Sequence, residues 1–275
     1  MLASVHSVVL AVNAVVVRPV ADMHSSGRED TDVVSQAIYG TNIEILEVRN
    51  NWAKVRTPDG YTGWMHRSGL LRTDKRYADG QTAVEVKNLF ANVYREPSIT
   101  KHKPIMTIPI ESRLEISGEQ QNDERWMQVR LANNQRSWVQ AGDVTTETKP
   151  LTVPQMISIS RHFLGLPYLW GGTSTFGYDC SGFTQMLCRR RGIVMPRDAD
   201  LQAAWTGVSN VPKNGLRPGD LLFFGASPEK ITHTGMYIGN GEFINATTHE
   251  TPVIQISKLA DPHWTKIFVC ARRVK

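Results

Sequence analysis

Two stretches of this chain repeat one pattern. "WAKVRTPDGYTGWMHRSGL" begins at Trp52 and "WMQVRLANNQRSWVQAGDV" begins at Trp126, and the two align without a gap. Trp52 falls on Trp126, Val55 on Val129, Arg56 on Arg130 and Trp64 on Trp138. Each block alternates apolar and polar residues on either side of a turn signal, Pro58-Asp59-Gly60 in one and Asn133-Asn134 in the other. That pattern predicts two short strands joined tightly. A further strand precedes each block, "IEILEV" in the first and "RLEISG" in the second. The repeat therefore predicts two copies of one small all-β unit, residues 1–76 and 77–148. At about 65–70 residues apiece, each has the size of a small barrel.

The polar segment "TTETKPLTVP", residues 145–154, carries two prolines and reads as a linker. After it, in residues 149–275, the pattern changes. "QMISISRHFLGL" has helical periodicity, and "PYLWGGTSTFGYDC" is a loop rich in glycine and aromatic residues. "SGFTQMLCRRRG" predicts a helix with Phe183, Met186, Leu187 and Arg190 on one face and Gly192 closing it. Strand candidates then follow in quick succession: "DLLFFG", "HTGMYIG", "EFINATT", "VIQIS" and "KIFVCARR". Helices followed by a meander of strands predict an α+β domain with an antiparallel sheet.

Composition narrows the function classes. With 275 residues, 41% of them apolar and 21% charged, the chain can bury sizeable cores and has no signature of disorder. The net charge of +5 is scattered, and its one dense run, Arg189-Arg190-Arg191, ends the predicted helix. Basic side chains there complement the helix dipole, so no nucleic-acid partner is expected. No stretch approaches the ~20 apolar residues of a membrane span, and no membrane partner is expected. Three cysteines without a CxxC support neither a disulfide framework nor a zinc or dithiol site, and fit a reducing compartment. In the opening stretch "MLASVHSVVLAVNAVVVRP" no Lys or Arg precedes the apolar run, so it reads as strand in preference to a secretion signal.

One cysteine stands apart. Cys180, in "YDCSGF", has polar neighbours and begins the predicted helix. Unpaired N–H groups and a positive partial charge at a helix start favour thiolate over thiol, and the same N–H groups can receive an oxyanion. Gly182 is expected to keep the turn slim enough for a substrate backbone to approach. Of the eight histidines, His233 opens a convincing strand, "HTGMYIG". The following strand carries Asn245, whose amide can orient an imidazole in a Cys-His-Asn arrangement. Cys188, beside Leu187, and Cys270, in an alternating strand, read as packing residues. His102, His162, His249 and His263 have no patterned partner.

In order, "PYLWGG", "YDCSGFTQML", "MPRDADLQ", "RPGDLLFF" and "ITHTGMYIGNGEFINA" resemble the NlpC-type cell-wall cysteine peptidases across residues 153–274. The repeats in front resemble the bacterial SH3-like domains that accompany such enzymes. The resemblance implies two SH3-like barrels followed by a papain-like α+β domain with an antiparallel sheet. Together the parts resemble the γ-D-glutamyl-L-diamino acid endopeptidases that cut murein peptides bearing a free N-terminal L-Ala.

That resemblance implies Cys180 as nucleophile, His233 as general base and Asn245 as the orienting residue, where many relatives carry histidine. Tyr168 matches a tyrosine near the oxyanion, and Trp170 a residue of the pocket wall. Asp179 and Ser181 match a clamp for the substrate amine, with Tyr61 reaching in from the first repeat and Asp32, or alternatively Glu29, completing it. Ala199 departs from the pattern, since close relatives commonly have a serine there. Gln135 takes the place of Tyr61 in the second repeat, so the second unit is expected to be a spacer. No metal or organic cofactor is implied, and the chain is expected to act on murein peptides as a monomer in the cytoplasm. Two rival readings are an exported hydrolase of intact peptidoglycan stem peptides and a non-catalytic module that binds the wall through its barrels.

Overall fold

The structure, a computed structural model, describes residues 12–80, 83–118 and 125–275. The part of the opening strand reading that falls on residues 1–11 lies outside the described residues. From Val12 the alternating sequence is strand. β1 (Val12–Val16), β2 (Val20–His24), β3 (Val33–Ile38), β4 (Asn42–Arg49), β5 (Trp52–Arg56), β6 (Thr62–His66) and β7 (Leu70–Arg72) form one sheet in the order β3-β2-β6-β5-β4-β1-β7. Seven more strands follow: β8 (Ala83–Val86), β9 (Phe90–Tyr94), β10 (Met106–Pro109), β11 (Arg113–Ile116), β12 (Trp126–Arg130), β13 (Arg136–Gln140) and β14 (Val144–Thr145). Their order, β10-β9-β13-β12-β11-β8-β14, repeats the first. Register repeats as well. Lys54 pairs with Trp64 in the first unit and Gln128 with Trp138 in the second.

Alternation along β1 ties the two units together. Successive side chains of a strand point to opposite faces. Ala14 and Val16 enter the first core with Met23, Ile43, Val55 and Met65, while Val15 enters the second with Val84, Val93, Leu114 and Val139. At the same seam the Tyr39 hydroxyl accepts from the Ala132 N–H at 3.0 Å, and the Tyr77 hydroxyl donates to the Arg130 carbonyl at 2.7 Å.

The last unit begins with α1 (Val153–Ser160), capped reciprocally by Thr152 and Gln155. The glycine-rich loop contains a two-strand hairpin, β15 (Thr173–Ser174) and β16 (Gly177–Tyr178). Next come α2 (Cys180–Arg189), α3 (Ala199–Ala204), β17 (Val208–Val211), β18 (Leu221–Ser227), β19 (Lys230–Gly239), β20 (Glu242–Thr247), β21 (Val253–Lys258), α4 (Pro262–Ile267) and β22 (Phe268–Val274). The six-stranded sheet runs β17-β22-β18-β19-β20-β21, and every neighbouring pair is antiparallel. This is the expected α+β arrangement.

Sequence and structure differ at two places here. α2 was expected to bury one face, yet every residue from Cys180 to Cys188 is buried. Phe183, Met186 and Leu187 fill the core, at about 1.5–3 kcal/mol each. The opposite face is covered by the leading units: Gln185 donates to Asp59 at 2.9 Å, and Arg189 donates to Glu111 at 3.0 and 2.6 Å. Arg190, placed on the apolar face by periodicity, reaches Glu85 of the second unit instead.

The second unit is also no spacer. Its Ile110 lies in the core of the last unit, Thr175 donates to its Leu89 carbonyl at 2.8 Å, and Phe90 meets Phe176 edge-on at 5.0 Å. Complementary apolar and charged surface docks it there, a property that comparing Tyr61 with Gln135 could not reveal.

Candidate active site

α2 begins at Cys180 because Asp179 caps it. The Asp179 carboxylate accepts from the Gly182 N–H at 2.7 Å, as an aspartate N-cap does. Gly182 does not make room for substrate, as its sequence suggested. A Cβ there would stand 2.2 Å from the Gly172 carbonyl oxygen, so glycine lets the helix seat against the preceding loop.

Asp179 and Ser181, expected as an amine clamp, are bonded within the protein. Arg197, itself buried, donates to the two Asp179 oxygens at 3.0 and 2.5 Å and to the Ser181 hydroxyl at 2.8 Å. The Gly171 N–H and the Ser181 hydroxyl complete the carboxylate's shell at 3.0 and 3.3 Å. Arg197 also donates to Ser35 of the first unit at 3.1 Å. An ion pair this dry needs every lone pair satisfied, and here the protein satisfies them.

The main-chain N–H of Thr234, the residue after His233 in β19, favours the charged form of the Cys180 sulfur. His233 Nε2 meets the Asn245 amide oxygen at 3.0 Å. Asn245 is fully buried, and its amide nitrogen donates to the Gln255 carbonyl at 3.3 Å and to Ser257 Oγ at 3.1 Å. Those two acceptors turn the amide oxygen toward the ring. His233 then carries its proton on Nε2 and keeps Nδ1 as the basic lone pair. Trp264 of α4 stacks on the imidazole at 5.0 Å and holds its plane.

Burial and, after it, the Asp179 charge push the Cys180 thiol up to about 11, against the pull of the Thr234 N–H, Arg197 and the Ser181 N–H. Burial brings the His233 ring down to about 4, despite the Asn245 hydrogen bond. Burial thus opposes charge on both groups and works against the thiolate that the helix start favours.

This has a measurable consequence. A Cys180 thiolate signal at 240 nm, taken as the difference from Cys180→Ala, is expected to be absent at pH 7 and to appear only as the pH approaches 11. Stability follows both groups with opposite sign. The depressed His233 ring contributes fully above its unfolded value of 6.5 and loses that contribution as the pH falls to about 4. The raised Cys180 thiol contributes fully below 9 and loses it as the pH rises to about 11. A rise in the 240 nm difference centred near neutrality would refute the assignment.

Tyr168 is half-buried beside this pair. Burial, followed by the Cys180 and Asp179 charges, raises its hydroxyl well above the usual phenol range, so it stays a donor. Tyr61 crosses from the first unit and comes close to Asp198, whose charge acts on its hydroxyl. Burial and then the Asp198 charge push Tyr61 up to about 12. Burial also raises the half-buried Asp198 carboxyl, against the attraction of Arg197. Sequence reasoning passed over Asp198, although it adjoins Ala199, the departure already noted in "PRDADLQ".

Trp170 is 68% exposed, a rim residue more than a wall. Asp32 is exposed, and so is Glu29. The residue after Asp32, Val33, is in contact with the loop that precedes the nucleophile: a Cβ on Gly171, which has φ +75°, would stand 2.5 Å from the Val33 carbonyl oxygen. Of the remaining histidines, His249 and His263 stack on each other at 3.7 Å, and His102 pairs with Glu96 at 3.1 Å. Among the described residues, no group of three or more His, Cys, Asp or Glu side chains is placed to hold a metal ion.

The NlpC/P60 family profile matches residues 165–273, and that of the bacterial dipeptidyl-peptidase SH3 domain matches residues 23–70. The chain is 34% identical over 256 residues to a γ-D-glutamyl-L-lysine dipeptidyl-peptidase of Bacillus cereus, covering 87% of this chain and 74% of that protein. The chain belongs to the NlpC/P60 family. This NlpC/P60 cysteine peptidase is also 28% identical to the protein of the same name from Bacillus subtilis, over 89% of its own length and 82% of the relative's. A crystal structure of an NlpC/P60 family protein from Bacillus cereus superposes with a TM-score of 0.81 at 27% identity, covering 95% of this chain and 99% of the other. Family membership makes the chain an enzyme and sets aside the non-catalytic module.

Proposed function

We propose that this peptidase hydrolyses the γ-D-glutamyl–diamino acid bond of murein peptides whose N-terminal L-Ala is free. In this reading His233 Nδ1 takes the thiol proton as Cys180 Sγ attacks the γ-carbonyl. The oxyanion is received by the Cys180 main-chain N–H and the Tyr168 hydroxyl. The imidazolium then protonates the leaving amine, and the neutral ring activates water to release the acyl group. Asn245 orients the ring throughout.

The single observation that carries the substrate assignment is the approach of Tyr61, from the first unit, to the half-buried Asp198 carboxylate of the peptidase. It leaves one half-buried carboxylate, with a tyrosine beside it, near a nucleophile whose own neighbouring carboxylate is already occupied. Such a group satisfies an ammonium ion and penalises an acylated nitrogen. The relatives named γ-D-glutamyl-L-lysine dipeptidyl-peptidase support the same bond. Asp32 and Trp170 belong to this reading as rim contacts. The repeated strand order supports taking residues 77–148 as a second SH3-like domain. A substrate already freed of sugar fits recycling in the cytoplasm.

Mass spectrometry of products from L-Ala-γ-D-Glu-diaminopimelate and from its N-acetyl form tests this. The free peptide is expected to yield L-Ala-D-Glu and diaminopimelate, and the acetylated one to react far more slowly. Asp198→Asn is expected to cut the preference for the free amine by about 10–100-fold, the worth of a hydrogen bond to a charged group. Equal rates on both substrates in the unaltered enzyme would favour the hydrolase of intact stem peptides.

A further inference from the structure

At the end of α2 away from the nucleophile, the two β units, the linker and the peptidase enclose a cavity of about 410 Å³. The inner charges are Arg113, Arg189 and Arg190 against Glu85 and Glu111. Two of those arginines are committed, Arg189 to Glu111 and Arg190 to Glu85. Arg113 is drawn to Glu85 but forms no ion pair within 4 Å among the described residues. It makes no side-chain hydrogen bond among the described residues, and its Nε is buried and unpaired. A third carboxylate in the wall, Asp59, is held by Gln185 and Thr57, while Arg76 pairs with Asp79 at 2.9 Å and Lys149 with Glu147 at 3.9 Å. Among the described residues Arg113 is the arginine of this wall whose side chain makes neither a hydrogen bond nor a close ion pair.

We propose that this cavity is a second ligand site, which takes a small monocarboxylate of amino-acid to dipeptide size. A guanidinium presents paired donors that match the two oxygens of a carboxylate. Glu85 and Glu111 stand beside Arg113 and oppose a dianion, so a singly charged group is favoured over a phosphate dianion. Ile38, Tyr39, Pro150, Val194 and Met195 offer an apolar surface to the rest of the molecule. The volume falls within the ordinary range for small-molecule sites. Because the walls come from all three units, an occupant braces them against one another, which thermal unfolding reads directly.

The test uses the full-length Cys180→Ala chain with hexanoate, hexanamide and inorganic phosphate at equal ionic strength. Hexanoate is expected to raise Tm by about 3–5 °C at ten times its Kd, with no effect from hexanamide or phosphate. Arg113→Gln is expected to abolish the shift, whereas Asp198→Asn, at the other site, leaves it intact. Val194→Trp, which fills the cavity from an exposed position, is expected to abolish it too and serves if Arg113→Gln does not fold. No shift with hexanoate, an equal shift with hexanamide or phosphate, or a shift that survives both cavity variants would overturn the proposal.

Discussion

Cys180→Ala is expected to lower kcat/KM on L-Ala-γ-D-Glu-diaminopimelate by at least about 10⁴-fold, the scale for loss of an enzyme nucleophile. The fold is expected to stay intact, with Tm within a few degrees, because alanine continues α2 and Asp179 still caps it. His233→Ala is expected to cost a similar factor, and the double variant little more, since base and nucleophile act on one proton. Steady-state rates on purified protein check this. Hydrolysis within tenfold of the parent in Cys180→Ala would mean that another group attacks.

Arg197→Met is the largest expected change in stability. It leaves the Asp179 carboxylate, 7% exposed, without its ion-pair partner. Stranding one member of a buried pair costs about 3–5 kcal/mol. For a chain of this size that corresponds to a Tm loss of roughly 10 °C. Activity falls with it, because Asp179 caps the nucleophile helix and Ser181 hangs on the same guanidinium. Adding Asp179→Asn to Arg197→Met removes the stranded charge and is expected to restore part of the lost Tm. A double variant less stable than Arg197→Met would show that the pair was never the source of the effect.

What the sequence made legible was local. The Trp52 and Trp126 blocks announced two like units because a hairpin's alternation and turn sit within twenty residues. Cys180 at a helix start was visible for the same reason, and so was the strand of His233, although that strand begins three residues earlier, at Lys230. What escaped was either too short to show a period or too distant to pair by eye. α3 and α4 are six residues each and display barely more than one turn. Ile267 was read as strand but ends a helix that carries Trp264 onto the His233 ring.

The capping role of Asp179 was missed despite a visible signal. An aspartate directly before a helix, with glycine three residues on, is an N-cap pattern. Its nearness to the nucleophile suggested substrate instead. The partner that occupies it, Arg197, lies 18 residues on and reaches Ser35, 162 residues back. No window on the sequence joins those three. Ser257, which turns the Asn245 amide, belongs to the same class, since its strand must first pair with β20.

The seam between Tyr61 and Asp198 bears on how the chain is made. Synthesis runs from the N-terminus, and leading domains generally fold first. Tyr61 leaves the ribosome before Cys180, Asp198 and His233. The first unit can therefore already be folded when the last strands of the peptidase sheet, which carry His233 and Asn245, are made.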